Sequence, residues 1–149
     1  MALSEDGDIY TWGKGLYGAL GNGSNSFHLT PTLNEEFKDM KEKGIEVVKL
    51  DVADDYSGCL MSNGELFMFG KNDRGQLGIG EGMGMDMVES SVFPNPVIEE
   101  SGASFLVKDF SCGQNGMTLK GDDDKIYITG ARMYHYPRLK DFEAGTWEE

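Results

Sequence analysis

The clearest indication of the fold is a segment in the middle of the chain, SNGELFMFGKNDRGQLGIG, residues 62–80. Its Asn63-Gly64 pair is a strong signal for a two-residue hairpin turn, because both residues tolerate positive φ angles. The apolar run that follows is typical of a β-strand. Four glycines then permit a tight, irregular connection, and they are Gly70, Gly75, Gly78 and Gly80. The segment therefore predicts a β-hairpin followed by a glycine-rich loop.

The same pattern occurs 57 residues earlier in EDGDIYTWG, residues 5–13, and the glycines after it keep the same spacing. A weaker third copy reads DKIYITG, residues 124–130, and lacks that series of glycines. Apolar runs precede the second and third copies, at 45–60 and 105–119, but no such run precedes the first. We divide the chain into repeats at about 1–44, 45–104 and 105–149, the last degenerate. The glycines that we assign to the repeat framework are Gly7, Gly13, Gly18, Gly21, Gly64, Gly70, Gly75, Gly78 and Gly130.

Both faces of the strand after each hairpin are apolar or nearly so. In the second copy Phe67 and Phe69 share one face, and Leu66 and Met68 share the other, because side chains alternate along a strand. A sheet that faces water on one side alternates apolar with polar residues instead. The pattern predicts an all-β fold in which each sheet is covered on both sides, as in stacked propeller blades.

Two segments, 4–13 and 69–80, closely resemble the regulator of chromosome condensation repeat. That repeat has an Asp-Gly hairpin, a strand ending in Trp-Gly, and then Asn-x-x-Gly-Gln-Leu-Gly. The second copy matches best; in the first, Gly15 replaces the Asn and Ala19 replaces the Gln. The resemblance implies a β-propeller of four-stranded blades, with seven blades in full-length members. With 149 residues, this chain is too short to close such a ring. We expect an unclosed propeller of two to three antiparallel blades.

An incomplete ring indicates what the chain does. Either it is a fragment of a longer polypeptide, or other protein chains cover its open blade edges. We expect a non-catalytic protein–protein interaction or scaffold module, an accessory component of a larger assembly. The alternative implied by the resemblance is a guanine-nucleotide exchange regulator of a small GTPase, or a piece of a longer propeller protein with that role. No exchange-specific residue can be matched, because only the repeat framework is shared.

Several segments depart from the repeat. Residues 34–44 predict a short helical insertion, with Asn34 as N-cap, acids in the first turn and a terminal glycine. It either lies on the binding face or only packs Phe37 and Met40 onto the sheet. A Met-rich stretch at 82–87 is either an adaptable partner contact or a plain loop. The tail is rich in residues favoured at interfaces, although it equally completes the last blade. The candidate partner contacts are Met83, Met85, Met87, Tyr134, Tyr136, Arg138 and Trp147.

Charge and composition exclude several classes of function. The net charge of −13 repels phosphate backbones, so nucleic acid is an unexpected partner. No apolar stretch is long enough to cross a membrane. The two cysteines, Cys59 and Cys112, stand far apart, which is typical of reduced thiols in an intracellular protein. Although residues 13–18 fit a Gly-x-Gly-x-x-Gly pattern, a helix-hostile run follows them. We expect no cofactor, no metal and no catalytic residue.

Overall fold

The computed structural model describes residues 1–80, 90–130 and 134–139, which form three antiparallel sheets. The strands of the first sheet are β1 (Ala2–Leu3), β2 (Ile9–Gly13) and β3 (His28–Leu33). Those of the second are β4 (Val47–Val52), β5 (Tyr56–Met61), β6 (Leu66–Lys71) and β7 (Ser90–Pro96). Those of the third are β8 (Val107–Cys112), β9 (Met117–Gly121), β10 (Ile126–Gly130) and β11 (Tyr134–Leu139). Within each sheet the strands lie side by side in chain order. The expected unclosed all-β architecture is confirmed.

All three sequence copies form the same hairpin. The turn amides of Gly7, Gly64 and Asp124 donate to carbonyls three residues earlier, at 3.0, 3.0 and 3.1 Å. Asp124 has a φ of 66° where the other two copies have glycine. Aspartate is among the few residues that adopt this conformation at modest cost. The decayed third copy therefore keeps the turn that defines the repeat.

The first sheet differs from the expected four-stranded blade. The hairpin places β1 and β2 in the positions of β5 and β6, so β3 takes the position of β7. Within the described segments, no strand takes the position of β4 in this sheet. The sequence explains the difference, because no apolar run precedes the first hairpin. The other two sheets have the expected four strands.

The predicted insertion is present between β3 and β4. A 3₁₀ turn, Glu35–Phe37, leads directly into the short helix α1, Lys38–Glu42. The Asn34 side chain accepts a hydrogen bond from the Glu36 amide at 3.0 Å, as an N-cap residue does. Its amide group also donates to carbonyls in the glycine-rich loop of the first repeat. Asn34 therefore attaches the insertion to the first sheet.

The core lies between successive sheets. One cluster of buried side chains joins the first and second sheets: Ile9, Phe37, Cys59, Met61, Phe67 and Phe69. A larger cluster joins the second and third sheets and includes Leu66, Met68, Val107, Phe110 and Leu119. Every residue of β5 is buried, as is all of β6 except Lys71. The middle sheet is thus covered on both faces, as the sequence predicted. No helix in the described part of the chain is long and apolar enough to cross a membrane.

Candidate functional site: the exposed face of the first sheet

Each sheet has two faces, which we name by their neighbours. The N-side face points toward the preceding repeat, and the C-side face points toward the following one. In the second sheet Phe67 and Phe69 lie on the N-side face, in the cluster shared with the first sheet. Leu66 and Met68 lie on the C-side face, in the cluster shared with the third sheet.

The first repeat covers the N-side face of the second sheet with two elements. Its glycine turn lies so close to Phe69 that a Cβ atom on Gly21 would be 2.7 Å from that ring. Phe37 of the insertion then packs its ring edge-on against Phe67, with centroids 6.2 Å apart. The Ser57 hydroxyl donates to the Ala19 carbonyl in the turn at 3.1 Å. Apolar contact and one directed hydrogen bond together fix this junction.

The second junction repeats these contacts. A Cβ atom on Gly78, the counterpart of Gly21, would be 3.0 Å from the Thr129 methyl carbon. Phe105 packs edge-on against Tyr127, with ring centroids 4.7 Å apart. The Thr129 hydroxyl donates to the Gln76 carbonyl at 2.9 Å. Both junctions therefore combine the same three contacts: a glycine turn, an aromatic ring from the segment that connects two sheets, and a hydrogen bond from a side-chain hydroxyl to a backbone carbonyl.

The first sheet presents the same kind of face without any such cover in the described residues. Tyr10 and Trp12 take the positions of Phe67 and Phe69. Phe69 is fully buried, whereas Trp12 is 37% exposed. Leu33, directly across from Tyr10 in the sheet, is 44% exposed. Other exposed apolar side chains of the first repeat are Leu3, Leu16, Phe27 and Leu29, the last at 95%. Exposed apolar groups thus concentrate in the first repeat.

A groove lies beside the first hairpin and the insertion. It has a volume of about 460 Å³ and is lined by Ile9, Leu33 and Phe37. Lys41 and Asp8 form an ion pair of 2.6 Å at its edge. The packing of Phe37 supports the second interpretation of the insertion, and its place on a binding face stays a prediction. Its Phe37 packs on the sheet, while its charged residues line a surface open to solvent.

The thiol groups of both cysteines and the hydroxyl group of Tyr56 are held in their protonated forms. Burial raises the pKa of the Cys112 thiol to about 12, and burial also raises the pKa of the Cys59 thiol. The Tyr56 hydroxyl donates to the carbonyls of Gly113 and Gly116, and burial raises its pKa as well. Since the thiolate is the nucleophilic form of cysteine, neither thiol is activated. No group of three or more metal-ligating side chains occurs among the residues described.

The predicted site residues have different outcomes. All nine framework glycines adopt positive φ angles, between 64° and 113°. Four predicted partner contacts, Met83, Met85, Met87 and Trp147, lie outside the described residues. Tyr134 and Arg138 lie on β11, where only their backbone is described. Tyr136 on the same strand is half-buried, and its ring lies over Gly80. The role of these residues as partner contacts stays a prediction.

Sequence reasoning missed the residues that hold the sheets together. Phe105 was part of an apolar run, with nothing to mark it as the counterpart of Phe37, because the connectors differ in length. Ser57 and Thr129 are hydroxyl residues inside otherwise apolar strands, and this was the available signal. A hydroxyl in such a strand needs a partner when it is buried. Because the sequence predicts burial on both faces of these strands, it also predicts that each hydroxyl has a hydrogen-bond partner.

This arrangement defines a class: an unclosed β-propeller whose blades contact each other through glycine turns. The pattern of the regulator of chromosome condensation (RCC1) repeat matches residues 6–60 and 63–118, and the chain belongs to that family. The human E3 ubiquitin-protein ligase HERC2 is 35% identical over 90% of this chain. The mitochondrial RCC1 domain-containing protein RUG3 of Arabidopsis thaliana is 30% identical over 99% of it.

The relatives are much longer than this chain. It spans 2% of HERC2 and 32% of RUG3. Among solved structures, Prp20p from Saccharomyces cerevisiae superposes with a TM-score of 0.69 at 22% identity. That match covers 93% of this chain and 35% of the Prp20p chain. Human WBSCR16 superposes with a TM-score of 0.67 at 17% identity, over 92% of this chain and 34% of that one. Both likenesses show the fold alone.

Proposed function

We propose that this chain is a non-catalytic protein–protein interaction module, an accessory or scaffold component of a larger assembly. The observation that carries the proposal is the exposed N-side face of the first sheet. The equivalent face of the second sheet is buried down to 8% exposure at Phe67 and 0% at Phe69. An exposed apolar face, whose equivalent in the next repeat is buried, is typical of an interaction surface.

The backbone of the first sheet supports the same proposal. β1 pairs with β2 through Ala2 and Leu3, and its other edge has no partner strand in the described residues. An unpaired edge offers backbone donors and acceptors to an incoming strand. A partner that covers the apolar face can therefore also extend the sheet.

The unreactive side chains described above support a non-catalytic role. Both cysteines are free and buried or half-buried, with raised pKa values. The His28 ring nitrogen is hydrogen-bonded to Asn22 at 3.1 Å, in the glycine-rich loop rather than beside a nucleophile. Free thiols also support a reducing, intracellular location. The net charge of −13 disfavours nucleic acid as the partner.

The test is affinity capture from the cells that make the protein, with quantitative mass spectrometry of bound proteins. The variant Trp12→Ser with Leu33→Ser removes apolar groups from the exposed face. We expect it to lose the specific partner that the natural chain retains. Thr118→Ser, on an exposed position of β9, is the matched control and should retain the partner. Equal capture by all three proteins would contradict the proposal.

A further inference from the structure

The C-side face of the third sheet is more polar than its counterpart in the second sheet. In the second sheet, Leu60 pairs with Leu66 across the strands. In the third sheet, Lys120 pairs with Ile126 at the equivalent position. Lys120 is exposed and lies 3.6 Å from Asp124. A fully buried apolar pair has thus been replaced by a half-buried isoleucine and an exposed lysine that lies near a carboxylate.

The next pair along the same strands changes in the same direction. Gly58 pairs with Met68 in the second sheet and lies beneath the third, where a Cβ atom on it would be 3.0 Å from the Phe110 ring. Its counterpart Thr118, which pairs with Ile128, is exposed. Unlike Gly58, the exposed Thr118 has no described element packed closely against it. A polar outer face is what a terminal repeat needs in order to remain soluble.

The two ends of the chain are therefore chemically different. The C-side end carries the exposed Lys120 and Thr118 beside the half-buried Ile126 and Ile128. The N-side end carries Trp12, Tyr10 and Leu33, an apolar set with the pattern of a buried junction. Among the described side chains, exposed large apolar groups lie on the N-side end and not on the C-side end, which favours the N-side end as the binding surface.

The chain itself shows what covers an N-side face. At both internal junctions, the covering element is a turn with a glycine at φ 64°, Gly21 or Gly78. These glycines lie on Phe69 and Thr129, at the position that Trp12 occupies in the first sheet. Because even a Cβ atom would collide with Phe69, a larger side chain at position 12 demands glycine in the turn above it. The indole N–H of Trp12 adds a donor for a turn carbonyl, the kind of group that accepts from Thr129.

A second copy of this chain does not supply such a turn. The repeat places His135 and Arg138 at the positions of Gly75 and Gly78. In the third repeat this part of the chain forms β11, with Arg138 paired to Ile128, instead of a glycine turn. The described part of the third repeat therefore lacks the glycine turn that the first sheet of a second copy would need.

We propose that the N-side face of the first sheet binds a repeat blade of another protein, with an intact glycine turn of that blade seated over Trp12. This inference rests on the proposed interaction function and narrows it to one class of partner. The partner is identified by its two glycines three residues apart after a β-strand, as in Gly18–Gly21 and Gly75–Gly78.

The experiment is site-specific photocrosslinking of the full chain in the cells that make it. p-Benzoylphenylalanine replaces Trp12 in one variant and Thr118 in the other, and crosslinked peptides are sequenced by mass spectrometry. We expect position 12 to capture a peptide of another protein that contains the glycine turn, at least tenfold more than position 118. Replacement of Tyr10 provides a second probe of the same face if the first variant fails to fold.

Three results would overturn the inference. A position-12 crosslink to a peptide without the glycine turn, or to a second copy of the chain, would retain an interaction role but remove this class of partner. Comparable capture at position 118 would show that binding is not specific to the N-side face. Capture at neither position 12 nor position 10 in folded variants would remove both this inference and the proposed function.

Discussion

Gly21→Ala is predicted to destabilise the junction between the first two sheets far more than an ordinary turn mutation. Two independent costs act at this position. The backbone has a φ of 64°, which L-residues rarely adopt. A Cβ atom would also lie 2.7, 2.8 and 2.9 Å from three ring atoms of Phe69. Phe69 has no exposed surface, so its ring cannot relieve the collision by moving into solvent without disturbing its neighbours.

The magnitude follows from these two costs. An alanine in the left-handed region costs about 1–2 kcal/mol. Overpacking of a close-packed core costs a further ~1–3 kcal/mol. The expected loss for Gly21→Ala is therefore about 2–5 kcal/mol. Gly7→Ala is the matched control, because Gly7 has a φ of 84° but a Cβ atom on it would meet no other atom within 4 Å. Its expected loss is the backbone cost alone, about 1–2 kcal/mol.

Urea unfolding of the natural chain and both variants measures the difference. The double variant Gly21→Ala with Phe69→Leu separates the two costs, because a smaller side chain relieves the collision but not the backbone strain. We expect a coupling energy of about 1 kcal/mol or more between the two substitutions. Equal losses for Gly21→Ala and Gly7→Ala, with no coupling to Phe69, would refute the steric argument.

Three further results are expected. Thr129→Val leaves the buried Gln76 carbonyl without its hydroxyl donor and should cost about 1–3 kcal/mol in urea unfolding, whereas Thr118→Val should change stability little. Both cysteines should react with a thiol reagent at neutral pH only after unfolding, because burial raises their pKa values; fast labelling of the folded chain would contradict this. A hydrogen bond from Lys49 lowers the pKa of Asp109 below its ordinary value of 3.8. Its stabilising effect is therefore present above that pH and lost as the pH falls through the lower folded-state pKa. In Lys49→Met the Asp109 pKa, measured by NMR titration, should rise toward the ordinary value, and an unchanged pKa would show that the contact is absent in solution.

The repeat made most of the fold predictable. Asp6-Gly7 and Asn63-Gly64 fix hairpins through local backbone chemistry, which a sequence displays directly. The Asn34 cap and its following acids likewise predicted the insertion. Alternation along β6 predicted that both faces of the second sheet are covered. Each of these features depends on residues close together in the chain.

The exposed site was harder to predict, because the exposure of a side chain depends on whether a neighbouring repeat covers it. The segments that contain Trp12 and Phe69 do not by themselves predict different exposure, since the two residues occupy the same place in the repeat. Their difference in exposure comes from the neighbouring repeat and not from their own segments. The polar exchange of Lys120 for Leu60 was visible in the sequence, but its meaning required the register that pairs each with its cross-strand neighbour.

The hydroxyl-to-carbonyl hydrogen bonds at the two junctions have their acceptors at the same position of the repeat and their donors at different positions. Ala19 and Gln76 offer equivalent backbone carbonyls, while the donors come from β5 in one case and β10 in the other. A substitution changes the side chain of a residue but leaves its backbone carbonyl in place as an acceptor. Successive copies can therefore exchange side chains widely while the same point of attachment persists. Divergence between repeats is thus compatible with a conserved acceptor position at each junction, as the third copy shows.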